Sequence, residues 1–249
     1  MKYYVAADIH GFYSIFRESL EQAGYFSDKG ESRLVILGDL FDRGNEAKEL
    51  QEFILQQMET GKLMLIKGNH EDLFQQLVTE DHGLPYDHHI HNGTYDTALQ
   101  LTGFTRDMAK MQNFAFSLAA RKTPYYSQII PSMPDYHETE HYIFVHGWIP
   151  CIADGGTGFT YYSEWRDADD FEWKRAHWIN GMDAVQTCPG GKTIVCGHWH
   201  TSYGHAKYEK RGAEFGPDAD YSPYIAPGII ALDACTVLSG KINVIVLED

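Results

Sequence analysis

The feature of this chain that most constrains its fold is a recurring unit. An apolar, β-rich run stops at a polar residue, and a helical stretch follows. Residues 3–7 run into Asp8, residues 33–37 into Gly38 and Asp39, and residues 63–66 into Lys67, Gly68 and Asn69. These polar stops recur about every thirty residues, the length of a βαβ unit. Between them, residues 12–23 and 46–58 carry apolar side chains at helical spacing. The pattern predicts parallel strands joined by helical crossovers, and therefore an α/β domain.

The middle of the chain breaks this rhythm. A polar, His-rich stretch with His82, His88, His89 and His91 precedes two helical patterns, at 94–101 and 105–120. Pro124, Pro131 and Pro134 then interrupt regularity. No linker-like tract separates this region, so it is expected to be a mostly helical insertion at about 80–140 within one domain spanning residues 1–249. Strand patterns return at 141–145, ending at His146, and at 193–196, ending at Gly197 and His198. Two more, at 229–232 and 242–247, flank Ser239-Gly240, which reads as a hairpin-like turn.

Charge and cysteine content narrow the function classes. The formal net charge of −15 argues against general nucleic-acid binding, which needs clustered Lys and Arg. The four cysteines, Cys151, Cys188, Cys196 and Cys235, contain no CxxC spacing and suggest neither a zinc ribbon nor a disulfide framework. Asp8 and His10 interrupt any apolar leader core at the start of the chain. No run approaches the roughly 18 apolar residues of a membrane span. The expectation is a protein of the reducing cytoplasm.

The residues that end the predicted strands carry the chemistry. Asp8, Asp39, Asn69, His146 and His198 are all of metal-ligating type, and His10 and His200 follow two positions after the first and last of them. In α/β sheets ligands bind beyond the carboxyl ends of the strands. The donor set mixes oxygen and nitrogen and lacks thiolate. That suits manganese, iron, zinc or nickel better than calcium or magnesium alone. Seven donors exceed one tetrahedral site, whereas two cations about 3.5–4 Å apart that share a bridging carboxylate would accommodate them.

The segments Asp8-Ile9-His10-Gly11, Gly38-Asp39-Leu40-Phe41-Asp42-Arg43-Gly44, Gly68-Asn69-His70-Glu71, His146-Gly147 and Gly197-His198-Trp199-His200 resemble, in this order, the motifs of the calcineurin-like metallophosphoesterases. The second and third look most like the branch that holds the Ser/Thr protein phosphatases and the dinucleoside tetraphosphatases. The resemblance implies a central β-sandwich of mixed sheets flanked by helices. It implies that Asp8, His10 and His200 hold one cation, that Asn69, His146 and His198 hold the other, and that Asp39 bridges them. Manganese would be the expected pair. His70 would act as general acid, oriented by Asp42, while Arg43 would clamp phosphate, with Asn69 also facing substrate. Arg166, in a Trp-containing segment before the last motif, would be a second clamp.

The chain departs from the branch at three places. It has His146-Gly147-Trp148 where His-Ala-Gly is usual, and His200 where protein phosphatases commonly carry Thr. It also reads Asp233-Ala234-Cys235-Thr236 where Asp-Thr-Gly is usual. The metal site is therefore expected to be full while the substrate stays open between a phosphorylated protein and a dinucleoside polyphosphate. A scaffold without activity is disfavoured because every ligand and the general acid are present. Glu71 is expected to complete a helix start, the His82–His91 stretch to be a solvated loop, and Tyr125-Tyr126 and Tyr161-Tyr162 to be packing residues. Asn92-Gly93 would border the cleft.

Overall fold

The computed structural model describes residues 1–79, 87–154 and 158–249. Its strands are β1 (Lys2–Ala6), β2 (Ser32–Leu37), β3 (Leu63–Ile66), β4 (Tyr136–Glu138), β5 (Tyr142–Val145), β6 (Cys151–Ala153), β7 (Phe159–Tyr161), β8 (Thr193–Cys196), β9 (Tyr224–Ala226), β10 (Ile229–Ala231) and β11 (Val244–Glu248). One sheet has the order β11-β1-β2-β3 and a second the order β4-β5-β8-β10-β9, while β6 and β7 form a separate ribbon. In both sheets the inner strands pair parallel, and β11, β4 and β9 add antiparallel edges.

Side-chain alternation explains why the strands read as continuous apolar runs. Tyr3, Val5, Val35, Leu37 and Ile66 face Phe144, Val195, Ile230 and Leu232 across the space between the sheets. Their neighbours Tyr4, Ala6, Leu34, Ile36 and Leu65 face the other way, into a core shared with Phe16, Leu20, Leu50 and Ile54 of the first two helices. On the far side, Ile143, Val145, Ile194, Cys196 and Ile229 pack with Trp173, Ala176 and Met182. A sheet buried on both faces has no polar face to show in sequence. The result is four layers, helix–sheet–sheet–helix, the sandwich of mixed sheets that the motifs led us to expect.

Three expectations are corrected. The helical pattern at 105–120 is two helices, Arg106–Met111 and Asn113–Arg121, parted at Gln112, whose φ of −128° and ψ of 48° leave the helical region. Ala109 of the first and Phe116 of the second are both buried. That spacing of seven would suit one straight helix equally well, and neither Gly nor Pro marks the break. The segment around Ser239-Gly240 is not a hairpin. Thr236–Ser239 is a helical turn closed by Gly240 at φ 64°, and β10 and β11 belong to different sheets. The hairpin lies one step earlier, where β9 and β10 pair antiparallel around Pro227-Gly228, with Gly228 at φ 83°. The solvated loop expected at His82–His91 is corrected too: His82 lies outside the described residues, and His88, His89 and His91 fall on the short helix Asp87–His91, where His89 is buried.

Candidate active site

The strand ends of both sheets bring the polar stops together. Asp8 follows β1, Asp39 follows β2, Asn69 follows β3, His146 follows β5 and His198 follows β8. The loops that carry them are tied to one another. The His10 amide donates to the Asp39 carbonyl at 2.9 Å, the Gly44 amide to the His10 carbonyl at 2.8 Å, and the Gly197 amide to the His146 carbonyl at 2.7 Å. Eight non-glycine residues have positive φ among the described residues, and Asp8, His10, Asp39, Asp42, Arg43 and His198 are six of them. Such backbone is uncommon for L-residues and collects where function over-determines it. Gly197 is required here for a different reason: a Cβ on it would lie 2.1 Å from the Asp8 carboxylate.

Two donor groups form around one carboxylate. His10, Asp39 and His70 make one, and Asp39, His146 and His198 the other, each with its ligand atoms within 4.8 Å of one another. Asp39 Oδ1 is 3.3 Å from His146 Nε2, and Asp39 Oδ2 is 3.8 Å from His10 Nε2. Asn69 Oδ1 lies 2.9 Å from His146 Nε2. Two of the imidazoles are held from behind by backbone. His10 Nδ1 donates to the Phe41 carbonyl at 2.9 Å, and His146 Nδ1 to the Leu37 carbonyl at 2.6 Å. In both, that hydrogen bond fixes the tautomer and turns Nε2 toward Asp39. Asp8 is buried, and its two oxygens accept from the His198 amide at 3.1 and 2.9 Å. His200 sits at the edge of the group, with its Nε2 3.0 Å from Glu214.

The electrostatics of the cluster favour a cation. Burial, reinforced by Asp233 and Asp39, raises the Asp8 carboxyl well above its ordinary value. Burial lowers His10 well below the usual imidazole range, with His70 and Arg43 adding to it, and lowers His198 to about 3 with the help of His146. Neutral imidazoles are the ligating form. Burial opposes the charge of Asp39, yet the imidazoles of His146, His70 and His10 hold its carboxyl well below the usual range. The Nε2 of His198 is buried without a hydrogen-bond partner. A buried orphan nitrogen is costly, and facing a shared carboxylate it fits a metal. The residues present therefore suit divalent cations.

His70, a member of the first donor group, has partners of a different kind. Its Nδ1 is 2.6 Å from Asp42, and its Nε2 is 3.4 Å from the Arg43 guanidinium. Burial disfavours its cation, but Asp39 and Asp42 win and raise its pKa. The raised pKa favours the imidazolium, the form that can give up a proton. Asp42 is itself fixed by hydroxyls that sequence reasoning missed: Thr94 donates to Oδ2 at 2.7 Å and Thr97 to Oδ1 at 2.7 Å. Both lie at the start of the helix Thr94–Thr102. The preceding Gly93, with φ 85°, presses against the Arg43 backbone, where a Cβ would come within 2.4 Å of its amide. The Asn92-Gly93 segment thus borders the site. The Arg43 side chain is exposed at its mouth.

The structure assigns other residues to supporting places. Glu71, fully buried, accepts from the amides of Asp39, Leu40 and Gly68 at 3.0, 3.0 and 2.8 Å and from the Tyr125 hydroxyl at 3.0 Å. Asp233 is buried after β10, close enough to Asp8 to raise its pKa; it is a sixth polar residue at a strand end, which the sequence reading did not count among the ligand-type stops. Arg166 is engaged elsewhere. Its guanidinium forms a two-pronged pair with Glu138, 2.8 Å on each arm, and lies over the Trp165 ring at 4.3 Å. Tyr125 is packed against Phe41 and Phe74, and Tyr161 donates to the Ala184 carbonyl, as packing residues would.

Among known protein families, the model described as calcineurin-like phosphoesterase matches residues 1–219. A curated relative, the asymmetrical bis(5′-nucleosyl)-tetraphosphatase PrpE of Bacillus subtilis, is 30% identical over 133 residues. That match covers 51% of this chain and 52% of the relative, so it spans about half the length of each. Among solved structures, a cold-active protein tyrosine phosphatase superposes with a TM-score of 0.56 at 19% identity, covering 99% of this chain and 73% of that one. A candidate diadenosine tetraphosphatase gives 0.51 at 16% identity, covering 99% and 89%. At these identities the structural likeness concerns the fold. Among the described residues no helix is long and apolar enough to cross a membrane.

Proposed function

Since the chain belongs to the calcineurin-like phosphoesterase family, we propose that it is a two-metal hydrolase of phosphate monoesters or phosphoanhydrides. One observation carries this reading: the carboxylate of Asp39 sits between two sets of ligand-type atoms, those of His10 and His70 on one side and of His146 and His198 on the other. Asp8, His10 and His200 would hold the first cation, Asn69, His146 and His198 the second, and Asp39 both. The mixed oxygen and nitrogen donors suit manganese, iron, zinc or nickel, of which manganese is the pair that the family resemblance leads us to expect. When bound, such a pair supplies charge that neutralises phosphate oxygens and acidifies water near neutral pH.

The chain's own residues supply the rest. The exposed Arg43 guanidinium offers two parallel donors to phosphate oxygens. Water adds to phosphorus as the bond to the leaving oxygen breaks, and the proton that this water sheds passes to solvent, from which His70 is reprotonated before the next turnover. The His70 Nε2 proton passes to that leaving oxygen, while Asp42 holds the opposite nitrogen at 2.6 Å and steadies the ring. Thr94 and Thr97 keep both Asp42 oxygens in place, so the dyad is set before substrate arrives.

A Ser/Thr-phosphatase-like activity is the leading substrate reading. The alternative is hydrolysis of dinucleoside polyphosphates, which the name of the Bacillus subtilis relative supports. The four cysteines form no disulfide and fit a reducing compartment, in keeping with a cytoplasmic enzyme. One panel separates the readings: an aryl phosphate, a phosphoserine peptide, a dinucleoside tetraphosphate and a cyclic nucleotide, each assayed with added Mn²⁺. A preference for the peptide supports the first and for the tetraphosphate the second. No turnover of any substrate with either metal site loaded would refute the hydrolase reading.

A further inference from the structure

The histidines of the site are oriented in two different ways. His10 and His146 are held through Nδ1 by backbone carbonyls of neighbouring strand-end loops. His200 is held through Nε2 by a side-chain carboxylate, that of Glu214, at 3.0 Å. Glu214 comes from residues 209–223, which lie outside every motif of the site. This segment is seated on the His200 side by two further contacts. The Ser202 hydroxyl donates to the Glu214 carbonyl at 2.7 Å, and the Phe215 ring packs on the His200 ring with centroids 4.9 Å apart.

We propose that Glu214 is a positioning residue of the first cation's site and acts through His200; this rests on the reading of His200 as a ligand. A carboxylate at Nε2 accepts that nitrogen's proton in a hydrogen bond. The tautomer is thereby fixed with Nδ1 unprotonated, the nitrogen left to meet a cation. The carboxylate also raises the basicity of the ring, which a neutral backbone carbonyl does less. Asp233, buried after β10, also lies close enough to His200 to feel its charge. A segment beyond the motifs thus sets how tightly one of the two cations is held.

The test is Mn²⁺ binding to the full chain, followed by electron paramagnetic resonance and by competition with a chelator. Glu214→Ala is expected to weaken one of two sites by about 10–100-fold and to leave the other unchanged. Glu214→Gln should fall between it and the parent, because an amide oxygen accepts the hydrogen bond without the charge. Urea midpoints taken with EDTA should be equal for all three, since the Ser202 bond to the Glu214 backbone survives. Parental affinity in both variants, or equal weakening of both sites together with a lowered urea midpoint, would overturn the proposal. His200→Ala in the same titration separates the two levels. If it keeps both cations at parental affinity, the ligand reading of His200 fails. If it loses one while both Glu214 variants bind as the parent does, only the role of Glu214 fails.

Discussion

Replacing Glu71 by Gln should destabilise the protein more than any other near-isosteric change at the site, and the structure gives the size. The buried carboxylate accepts four hydrogen bonds: Oε2 from the amides of Asp39 and Gly68, and Oε1 from the amide of Leu40 and the hydroxyl of Tyr125. A Gln keeps one carbonyl oxygen and turns an NH₂ toward the other two donors. Each buried donor left without an acceptor costs about 1–3 kcal/mol, so two stranded amides come to roughly 2–6 kcal/mol. Tyr125→Phe removes a single bond to a charged acceptor and should cost about 1.5–3 kcal/mol. Because burial and Asp39 raise the Glu71 pKa while its backbone donors lower it, the comparison belongs at neutral pH or above. Urea unfolding with EDTA present keeps metal linkage out of the difference. A loss below about 1 kcal/mol in Glu71→Gln, or a larger loss in Tyr125→Phe, would refute the idea that this carboxylate organises the Asp39 and Gly68 loops.

Three further outcomes follow from the same geometry. His70→Asn should retain both cations and lose most activity, by roughly 10²–10⁴-fold, on alkyl phosphates and proportionally less on nitrophenyl phosphate, whose leaving group needs no proton; metal loss, or an equal loss on both substrates, would argue against an acid role. Arg43→Ala should weaken inhibition by inorganic phosphate or vanadate without changing metal content, which inhibition constants and elemental analysis check together. Glu138 is held at about 2 by its two-pronged pair with Arg166, despite partial burial, with Lys192 adding to the effect. A depressed carboxyl contributes stability above its unfolded value of 4.5 and loses it as pH falls through the folded value. The urea-midpoint cost of Glu138→Gln should therefore be steady from neutral pH to about pH 5 and shrink below that; a cost that grows on acidification would contradict the pairing.

What was legible in the sequence follows from where the chemistry is local. The strand ends could be read because a strand buried on both faces is a plain apolar run and the residue that stops it is polar, as at Asp8, Asp39 and His198. The strands β4, β6, β7 and β9 were missed because each has three residues that are only partly buried, whereas the equally short β10 is wholly buried and reads as part of an apolar run. Pro227-Gly228 was passed over in favour of Ser239-Gly240 because both are turn dipeptides. Only the pairing of β11 with β1, at opposite ends of the chain, tells which one joins neighbouring strands. At the site, ligand-type residues announce themselves by kind and position. Their supports do not. Thr94 and Thr97 reach Asp42 across more than fifty residues of sequence, and a threonine in a helix carries no mark of such a task. Arg166 was singled out for its Trp-containing context, yet its partner is fixed by β4, which places Glu138 beside it.

A pair of cations bridged by Asp39 is tested most directly by counting metal in Asp39→Asn beside the parent, by elemental analysis after incubation with Mn²⁺ and removal of excess. Two ions per parent chain are expected from the two donor groups that share this carboxylate. The Asn variant should hold fewer ions, each more weakly, because an amide offers one neutral oxygen where the carboxylate offers two charged ones. Its turnover should fall further than that of Asp8→Asn, since Asp8 would hold one cation alone. Two tightly held ions and near-parental turnover in Asp39→Asn would contradict a bridging role and the two-metal site built on it.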